Sequence, residues 1–365
     1  MKKRALLAAL VVPALAACSA VGATTPPVPA GSGTGTAGPG TAGGAITLVT
    51  HDSFALTDGI LADFTAKTGY TVTVVQPGDA GTLVNQLVLT KDAPLGDVMF
   101  GVDNTFASRA LDAGVVVAPS PALTAPALKD GERYRVPGDT AAALTPIDLG
   151  DVCVNVDNAW FTAHNLAAPA SLADLTKPAY KNLFVTESPT TSSPGFAFLL
   201  ATIGTYGTDG WQSYWKALKA NGLKVDDGWE NAWNVDYTAG GGNGQFPIVL
   251  SYSSSPVDTV PAGGTAPTTS ALLDTCFRQV EYAGVLAGAK NPAGAAAFVD
   301  FMLSDEVQAD IPGSMYMYPV SSSVKVPDDW AQWAPLAEHP VDVPAADIAA
   351  HRSDWLQQWS DTVLG

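Results

Sequence analysis

The sequence predicts an α/β protein with two lobes and a cleft between them. From residue 46 onward, apolar strand patterns alternate with helical patterns, which is typical of parallel sheets with helical crossovers. Hydrophobic residues make up 47% of the chain and charged residues 15%, which provides for a large core. The apolar segment 146–156, with Gly150 inside it, predicts a strand that crosses from one lobe to the other.

The predicted elements divide the chain into two lobes and a terminal helix. Lobe 1 is expected over about residues 46–148 and 277–345, lobe 2 over about 150–276, and the C-terminal helix over 345–363. Strands are predicted at 46–50, 70–76, 97–103, 146–156, 183–186, 246–252 and 276–287. Helices are predicted at 56–68, 82–91, 104–114, 196–203, 211–220, 292–310 and 345–363. Trp355 and Trp359 are interpreted as packing residues, and 316–319 as an exposed aromatic loop.

The first residues have the order of a bacterial lipoprotein signal. Basic residues 2–4 precede an apolar run too short to span a bilayer, and the sequence Leu-Ala-Ala-Cys ends at Cys18. We expect a signal peptide at 1–17 and a lipid on Cys18; the alternative is an ordinary signal peptide with a chance cysteine. The uncharged segment 18–45, rich in Gly, Ala, Thr and Pro, predicts a flexible tether to the domain at 46–365. This arrangement predicts a location outside the cytoplasm, with membrane contact through the anchor only.

Cysteine usage and net charge exclude several classes of protein. Cys153 and Cys276 predict a disulfide in an oxidising compartment, with two buried free thiols as the alternative. No metal site is expected, because the cysteines and the four histidines show no ligand spacing. The formal net charge of −17 argues against nucleic-acid binding and is compatible with a cationic ligand.

Candidate binding residues cluster in loops that follow predicted strands, where ligands of such sheets bind. A cationic aromatic ligand needs rings for stacking, a carboxylate to balance its charge, and hydroxyl or N–H donors for any phosphate. The alternative for each residue is a core or helix-capping role. The candidates chosen from these loops are His51, Asp79, Ala80, Asp103, Thr191, Ser192, Ser193, Trp229, Trp233, Tyr252, Ser253, Ser254 and Tyr316.

Catalysis is not predicted. The sequence contains no nucleophile elbow, zinc-protease helix, P-loop or dinucleotide fingerprint. The adjacent acids Asp226 and Asp227 would point to opposite faces of a strand, which is poor geometry for a shared acid/base role. We therefore expect a binding protein without a cofactor.

Six segments together resemble a known family: 51–54 (His-Asp-Ser-Phe), 101–104, 146–150, 192–195, 250–256 and 317–320. In register from about residue 46 to 361, the chain is similar to thiamine-binding periplasmic proteins of ATP-driven (ABC) importers. The resemblance implies a type II periplasmic-binding fold whose lobes close on the ligand. It also implies a monomer that delivers thiamine, thiamine monophosphate or thiamine pyrophosphate to a permease with its ATPase.

The resemblance also assigns binding roles residue by residue. It matches the acidic loop to Asp79 and Ala80, the phosphate-facing hydroxyls to Thr191 and Ser192 with Ser193 next to them, the stacking ring to Trp229, the strand end to Tyr252, Ser253 and Ser254, and a further ring to Tyr316. Two positions depart from the family. His51 stands where a tyrosine is usual, and Thr190 where some relatives have a basic residue, which weakens the prediction of a pyrophosphate ligand.

Other functions remain open at this stage. The same fold could bind ferric iron, although no adjacent tyrosine pair is present, or a polyamine or phosphonate. A secreted hydrolase and a purely structural surface lipoprotein are the alternatives from other classes. A closed, aromatic-lined cleft would separate the binding proteins from the structural one.

Overall fold

The computed structural model describes residues 43–365. The predicted signal peptide, the lipid site at Cys18 and nearly all of the tether lie outside this range. Among residues 43–365, no helix is both long enough and apolar enough to cross a membrane.

One mixed sheet organises the described residues. The strands are β1 (Gly44–Thr50), β2 (Tyr70–Val75), β3 (Val98–Asp103), β4 (Val116–Val117), β5 (Thr145–Asp157), β6 (Phe184–Glu187), β7 (Lys224–Asp226), β8 (Ile248–Tyr252), β9 (Thr269–Ala271), β10 (Phe277–Leu286) and β11 (Tyr318–Pro319). The main strand order is β2-β1-β3-β10-β5-β8-β6-β7, and the short strands β4, β9 and β11 pair with β10 or β5.

Two parallel strand groups are joined by the antiparallel strands β5 and β10. Strands β1–β3 are parallel in one group, and β6 is parallel to β7 and β8 in the other. The first part of β5 pairs with β10 and its last part with β8. The expected two-lobed α/β class is confirmed, but the sheet is mixed rather than parallel because the connecting strands run antiparallel. Strand β5 continues unbroken through residues 148–150, so the exact lobe boundaries stay a prediction.

Helices pack against both strand groups. They are α1 (Ile60–Thr68), α2 (Ala80–Leu89), α3 (Ala107–Asp112), α4 (Leu128–Gly131), α5 (Asn158–Ala163), α6 (Ser193–Ala220), α7 (Trp229–Asn231), α8 (Pro292–Met302), α9 (Asp305–Ser314), α10 (Trp330–Trp333) and α11 (Ala345–Val363). Helix α6 unites the predicted helices 196–203 and 211–220 across a kink at Gly207, whose φ is +69°. The predicted helix 292–310 is divided, because the Ser304 side chain accepts a hydrogen bond from Val307 N and starts α9.

Tryptophan packing fixes the C-terminal helix α11 on α6, and a disulfide joins the two connecting strands. Trp359 of α11 meets Trp215 of α6 edge to face at 5.6 Å, and Trp355 is also buried, which confirms that both residues of α11 are packing residues. Cys153 of β5 and Cys276, just before β10, form a buried disulfide, as the sequence predicted. It closes a separation of 123 residues and ties the crossing strands together.

Candidate functional site

A cavity of about 310 Å³ opens where loops and helix ends of both strand groups meet. Predicted residues that line it are His51, Asp79, Ala80, Ser193, Trp229, Trp233, Tyr252 and Tyr316. Predicted residues that are absent from its lining are Asp103, Thr191, Ser192, Ser253 and Ser254. The cavity therefore joins the acidic and aromatic candidates but leaves out most of the hydroxyl groups.

The sequence reasoning missed much of the lining. Lining residues that are outside the candidate list are Ser53, Ala55, Pro194, Glu230, Asn234, Ser255, Asp258, Gln279, Glu281, Ser314, Met315 and Met317. The strand β10 carried a usable signal, since Gln279 and Glu281 are two residues apart in a mostly apolar strand and therefore share a face. None of the described residues that line the cavity is a lysine or an arginine.

An aromatic wall, formed by Trp229, Trp233 and Tyr252, bounds one side of the cavity. The helical spacing of the two tryptophans stacks their rings 5.8 Å apart with an interplanar angle of 11°. Trp229 Nε1 donates a hydrogen bond to Ser251 Oγ at 2.8 Å, and the Tyr252 hydroxyl donates to Gln279 Oε1 at 3.0 Å. These bonds hold the Trp229 and Tyr252 rings in place.

Tyr316 contributes a further ring at the cavity, from the segment after α9. Its φ of +56° lies in the left-handed region, which is uncommon for a residue with a large side chain. Its hydroxyl donates to Asp258 Oδ1 at 3.0 Å. The segment 316–319 is not the exposed loop that the sequence predicted, because Met317 and Pro319 are buried and Tyr318 pairs with β5 as part of β11.

A carboxylate row, formed by Asp103, Glu281 and Asp148, crosses three neighbouring strands. Glu281 of β10 is directly opposite Asp103 of β3 on one side and Asp148 of β5 on the other. Directly opposed residues of antiparallel strands place their side chains on the same face of the sheet. All three side chains are buried, and Glu281 lines the cavity.

Burial is the largest influence on the protonation of this row. It raises the pKa of Asp148 to about 7 and that of Asp103 to about 6, although Asp103 accepts hydrogen bonds from the Ser193 and Thr105 hydroxyls. The pKa of Glu281 is raised well above its usual value by burial and by Asp148. The row therefore holds at least one proton near neutral pH.

His51 lies at the end of β1 with its imidazole beside this row. Its Nε2 is 3.4 Å from Glu281 Oε1. Burial lowers the pKa of His51 to about 4, so the contact is not an ion pair at neutral pH. The ring needs Gly101 opposite it, since a Cβ at that residue would lie 2.0 Å from His51 Cδ2.

Asp79 connects the two strand groups across the cavity. It is the N-cap of α2, and its carboxylate accepts from Ala80 N, from Ser193 N at 3.2 Å and from Trp229 N at 3.0 Å. Burial, the largest influence, raises its pKa to about 6 in spite of these bonds. The backbones also meet here, because a Cβ on Gly81 would lie 2.6 Å from the Thr191 carbonyl carbon.

The hydroxyl-rich loop before α6 already uses its donors within the protein. The Thr191 hydroxyl donates to the Asp227 carbonyl at 2.6 Å, and the Ser193 hydroxyl donates to Asp103. Ser192 is the N-cap of α6, where its Oγ accepts from Gly195 N. Ser192 thus caps α6, and the phosphate-facing role expected for this loop stays a prediction. Ser253 and Ser254 are buried beyond the end of β8.

Comparisons with known proteins give a consistent result. A family model described as "Bacterial extracellular solute-binding protein" matches residues 93–339. The thiamine-binding periplasmic proteins of Brucella suis biovar 1 (strain 1330) and Escherichia coli (strain K12) are each 27% identical to this chain. The alignments cover 86% of this chain and 90% of the Brucella protein, and 87% of this chain and 93% of the E. coli protein. The solved structure of a periplasmic thiamin binding protein is 26% identical, with a TM-score of 0.75 over 87% of this chain and 96% of that one.

Proposed function

This chain belongs to the bacterial extracellular solute-binding proteins, and we propose from this premise that it captures thiamine in the cleft for an ABC importer. Proteins of this kind bind a small solute and hand it to a membrane permease. The proposal of thiamine draws on the curated relatives and on the chemistry of the cavity.

One observation carries the choice of ligand: the cavity combines tryptophan and tyrosine rings with carboxyl groups, and no lysine or arginine is among the residues 43–365 that line it. Aromatic faces and carboxylates both attract a flat cation. Thiamine meets both requirements, because it joins a neutral aminopyrimidine ring to a permanently charged thiazolium ring. An anionic solute would meet Asp79, Glu230, Asp258 and Glu281 without a basic partner.

We propose that thiamine itself is preferred over its phosphates. The first turn of α6 is the natural place for a phosphate beside the cavity, yet it offers few free donors. Ser193 N already binds Asp79, Pro194 has no N–H, and Gly195 N binds Ser192 Oγ. A phosphate there would have to replace the buried Asp79 carboxylate as the acceptor of Ser193 N, and the two negative charges would repel each other.

The ferric-iron alternative is disfavoured by the tyrosines. Iron sites of this fold would use adjacent tyrosines, whereas Tyr252 is followed by three serines in the sequence. Tyr252 also donates its proton to Gln279. A polyamine would suit acids and rings equally well and is therefore included as a test ligand.

The cellular role that we propose also includes the location of the protein, its closure on the ligand and its attachment to the membrane. The protein acts outside the cytoplasm as a monomer without catalytic activity, and the ligand stabilises contact between the two strand groups so that the permease recognises the closed shape. Asp79 supports this closure, because it already bridges α2 to Ser193 and Trp229. A lipid on Cys18 would hold the protein at the membrane; its support is the order of residues 2–18 alone. Mass spectrometry of Cys18 against a Cys18→Ala variant tests the anchor.

Isothermal titration calorimetry tests the ligand. The purified protein is titrated with thiamine, thiamine monophosphate and thiamine pyrophosphate, and with iron(III) and spermidine as controls. We expect one-to-one binding of thiamine with weaker binding of each phosphate. No heat with any thiamine species would overturn the proposed function, and tighter binding of a phosphate would overturn only the preference.

A further inference from the structure

We propose that the carboxylate row is the counter-ion of the bound cationic ring, with Glu281 in contact with the ring, and that ring binding releases a proton held by the row. The inference rests on the proposed function, because it assumes that thiamine enters this cavity. It assigns a binding role to Glu281 and a positioning role to Asp148, which acts through Glu281.

The position of the row supports a counter-ion role. Glu281 is the member of the row that lines the cavity, in the same lining as Trp229 and Tyr252. A ring held against the aromatic wall would therefore have a carboxyl group within the same small cavity. Asp103 and Asp148 flank Glu281 in the sheet register and place two more carboxyl groups behind the contact.

The second observation is that Asp148 of the row lacks hydrogen-bond donors among the described residues. Neither carboxylate oxygen of Asp148 accepts a hydrogen bond from any N–H or O–H donor in the described residues, although both oxygens are buried. Asp148 and Glu281 are within hydrogen-bonding reach of each other, and two carboxyl groups share such a bond only while one of them is protonated. A purely structural row would be expected to have donors around it.

The other groups around Glu281 do not supply the missing positive charge. His51 faces it from the end of β1 and is neutral near pH 7, while Asp79 from the N-terminus of α2 adds negative charge. Tyr252 from β8 stays protonated, and Gln279 on β10 is uncharged. A bound cation is therefore the group that allows the row to ionise fully.

The coupling between ring binding and proton release has a defined sign. Without ligand the row holds its proton, and a positive ring favours the ionised row, so ring binding expels the proton. Affinity should then rise with pH as the solution takes up this proton more readily. Burial raises the pKa of Asp148 to about 7 and the pKa of Glu281 well above its usual value, so the change begins near neutral pH and extends above it. Below this range, one released proton weakens binding by up to about tenfold per pH unit.

Calorimetry in buffers of different ionisation enthalpy counts the released protons. The wild-type protein is titrated with thiamine and with 3-deazathiamine, in which a neutral thiophene replaces the thiazolium ring and the pyrimidine is retained. We expect about one proton released per thiamine near pH 7 and none per neutral analogue. This comparison needs no variant and so does not depend on how a substitution folds.

Two variants assign the proton to the row. Glu281→Gln should abolish the release and weaken thiamine binding about tenfold at pH 8, while the neutral analogue changes less than about threefold. Glu230→Gln is the matched control, because Glu230 lines the same cavity outside the row and the release should remain. Asp148→Asn should move the pH dependence to lower pH, since it removes a carboxyl group that raises the pKa of Glu281.

The outcomes separate this inference from the proposed function. Thiamine binding without proton release, or with the same release in the Glu281→Gln variant, overturns the inference and leaves thiamine as the ligand. Equal affinities for thiamine and its neutral analogue also overturn it. If the wild-type protein binds no thiamine species, the proposed function fails and the inference fails with it.

Discussion

The aromatic wall and the carboxylate row meet the same cavity, the row through Glu281 alone, but they differ in how completely their polar atoms are paired. In the wall, Trp229 Nε1 and the Tyr252 hydroxyl both have side-chain partners. In the row, Asp148 has no donor among the described residues, and its neighbour Glu281 has a raised pKa. Trp229 and Tyr252 have hydrogen-bond partners within the protein, whereas no described residue beside the row supplies a positive charge near pH 7.

This difference separates two components of recognition. A preformed wall selects flat rings of any charge, because its shape is fixed before binding. An acidic row in which Asp148 has no donor among the described residues selects for charge, because a cation compensates the cost of burying its ionised carboxylates. A ligand that is both flat and cationic gains from both surfaces, so a substitution in either surface should weaken its binding.

The largest effect is expected from removing the wall. Trp229→Ala should weaken thiamine binding by about 30-fold or more, because stacking and cation–π attraction are both lost. Calorimetry measures the change, and Trp333→Ala in α10, away from the cavity, is the matched control. Retention of full affinity by the Trp229→Ala variant would exclude the wall from the site.

A smaller loss of thiamine affinity is expected from replacing Asp79, whose carboxylate accepts a hydrogen bond from Trp229 N of the aromatic wall. Asp79→Asn keeps a residue type that caps helices well, but its amide group cannot accept from both Ser193 N and Trp229 N. We expect about tenfold weaker thiamine binding. Small-angle scattering should show less compaction on adding thiamine than in the wild type. Unchanged affinity and compaction would remove Asp79 from the closure.

Without ligand, the protein should become less stable as the pH rises. This test addresses the buried carboxyl groups and leaves the aromatic wall unchanged. A carboxyl group with a raised folded-state pKa stabilises the fold below its unfolded pKa, and this stability is lost as the pH rises through the folded value. That value is about 6 for Asp79 and Asp103 and about 7 for Asp148, and the pKa of Glu281 and Glu187 is also raised by burial.

His51 opposes this trend only up to its unfolded pKa, because its folded-state pKa is lowered to about 4. The carboxyl groups outnumber it, so the net sign is unchanged. We expect the melting temperature to fall by about 5 °C or more from pH 5 to pH 8. A melting temperature that rises steadily over this range would contradict the protonated state assigned to the row.

The smallest effect is expected at the mouth of the cavity. Tyr316→Phe removes the bond to Asp258 but keeps the ring, and the side chain is 36% exposed. We expect thiamine affinity to change by less than about threefold. A loss above about tenfold would show that the hydroxyl contacts the ligand directly.

The order of elements was well predicted because each has a strong local pattern. Strands 46–50 and 97–103 and the crossing strand 146–156 lie within two residues of β1, β3 and β5. The mixed sheet was not predicted, since the direction in which β10 returns beside β3 depends on a pairing between residues far apart in the chain. Local patterns also missed the break at Ser304, where a single cap divides two helices.

The site was predicted in part for a similar reason. The sequence allowed the choice of Asp79, Trp229 and Tyr252, because ligands of such sheets bind at strand ends and in the loops that follow them. Glu281 was not chosen, because only the spacing of Gln279 and Glu281 marks it inside a mostly apolar strand, and its significance arises from Asp103 and Asp148 on two neighbouring strands. The phosphate-facing role expected for Thr191 and Ser192 stays a prediction, and their hydroxyls serve Asp227 and the α6 cap in this structure.

A crystal structure of the protein grown with thiamine tests the central claim most directly. We predict that one ring lies within about 6 Å of the Trp229 or Tyr252 ring centre, with the thiazolium ring within about 4 Å of a Glu281 carboxylate oxygen. A thiamine molecule bound elsewhere, or one whose thiazolium ring points away from Glu281 into solvent, would contradict the account.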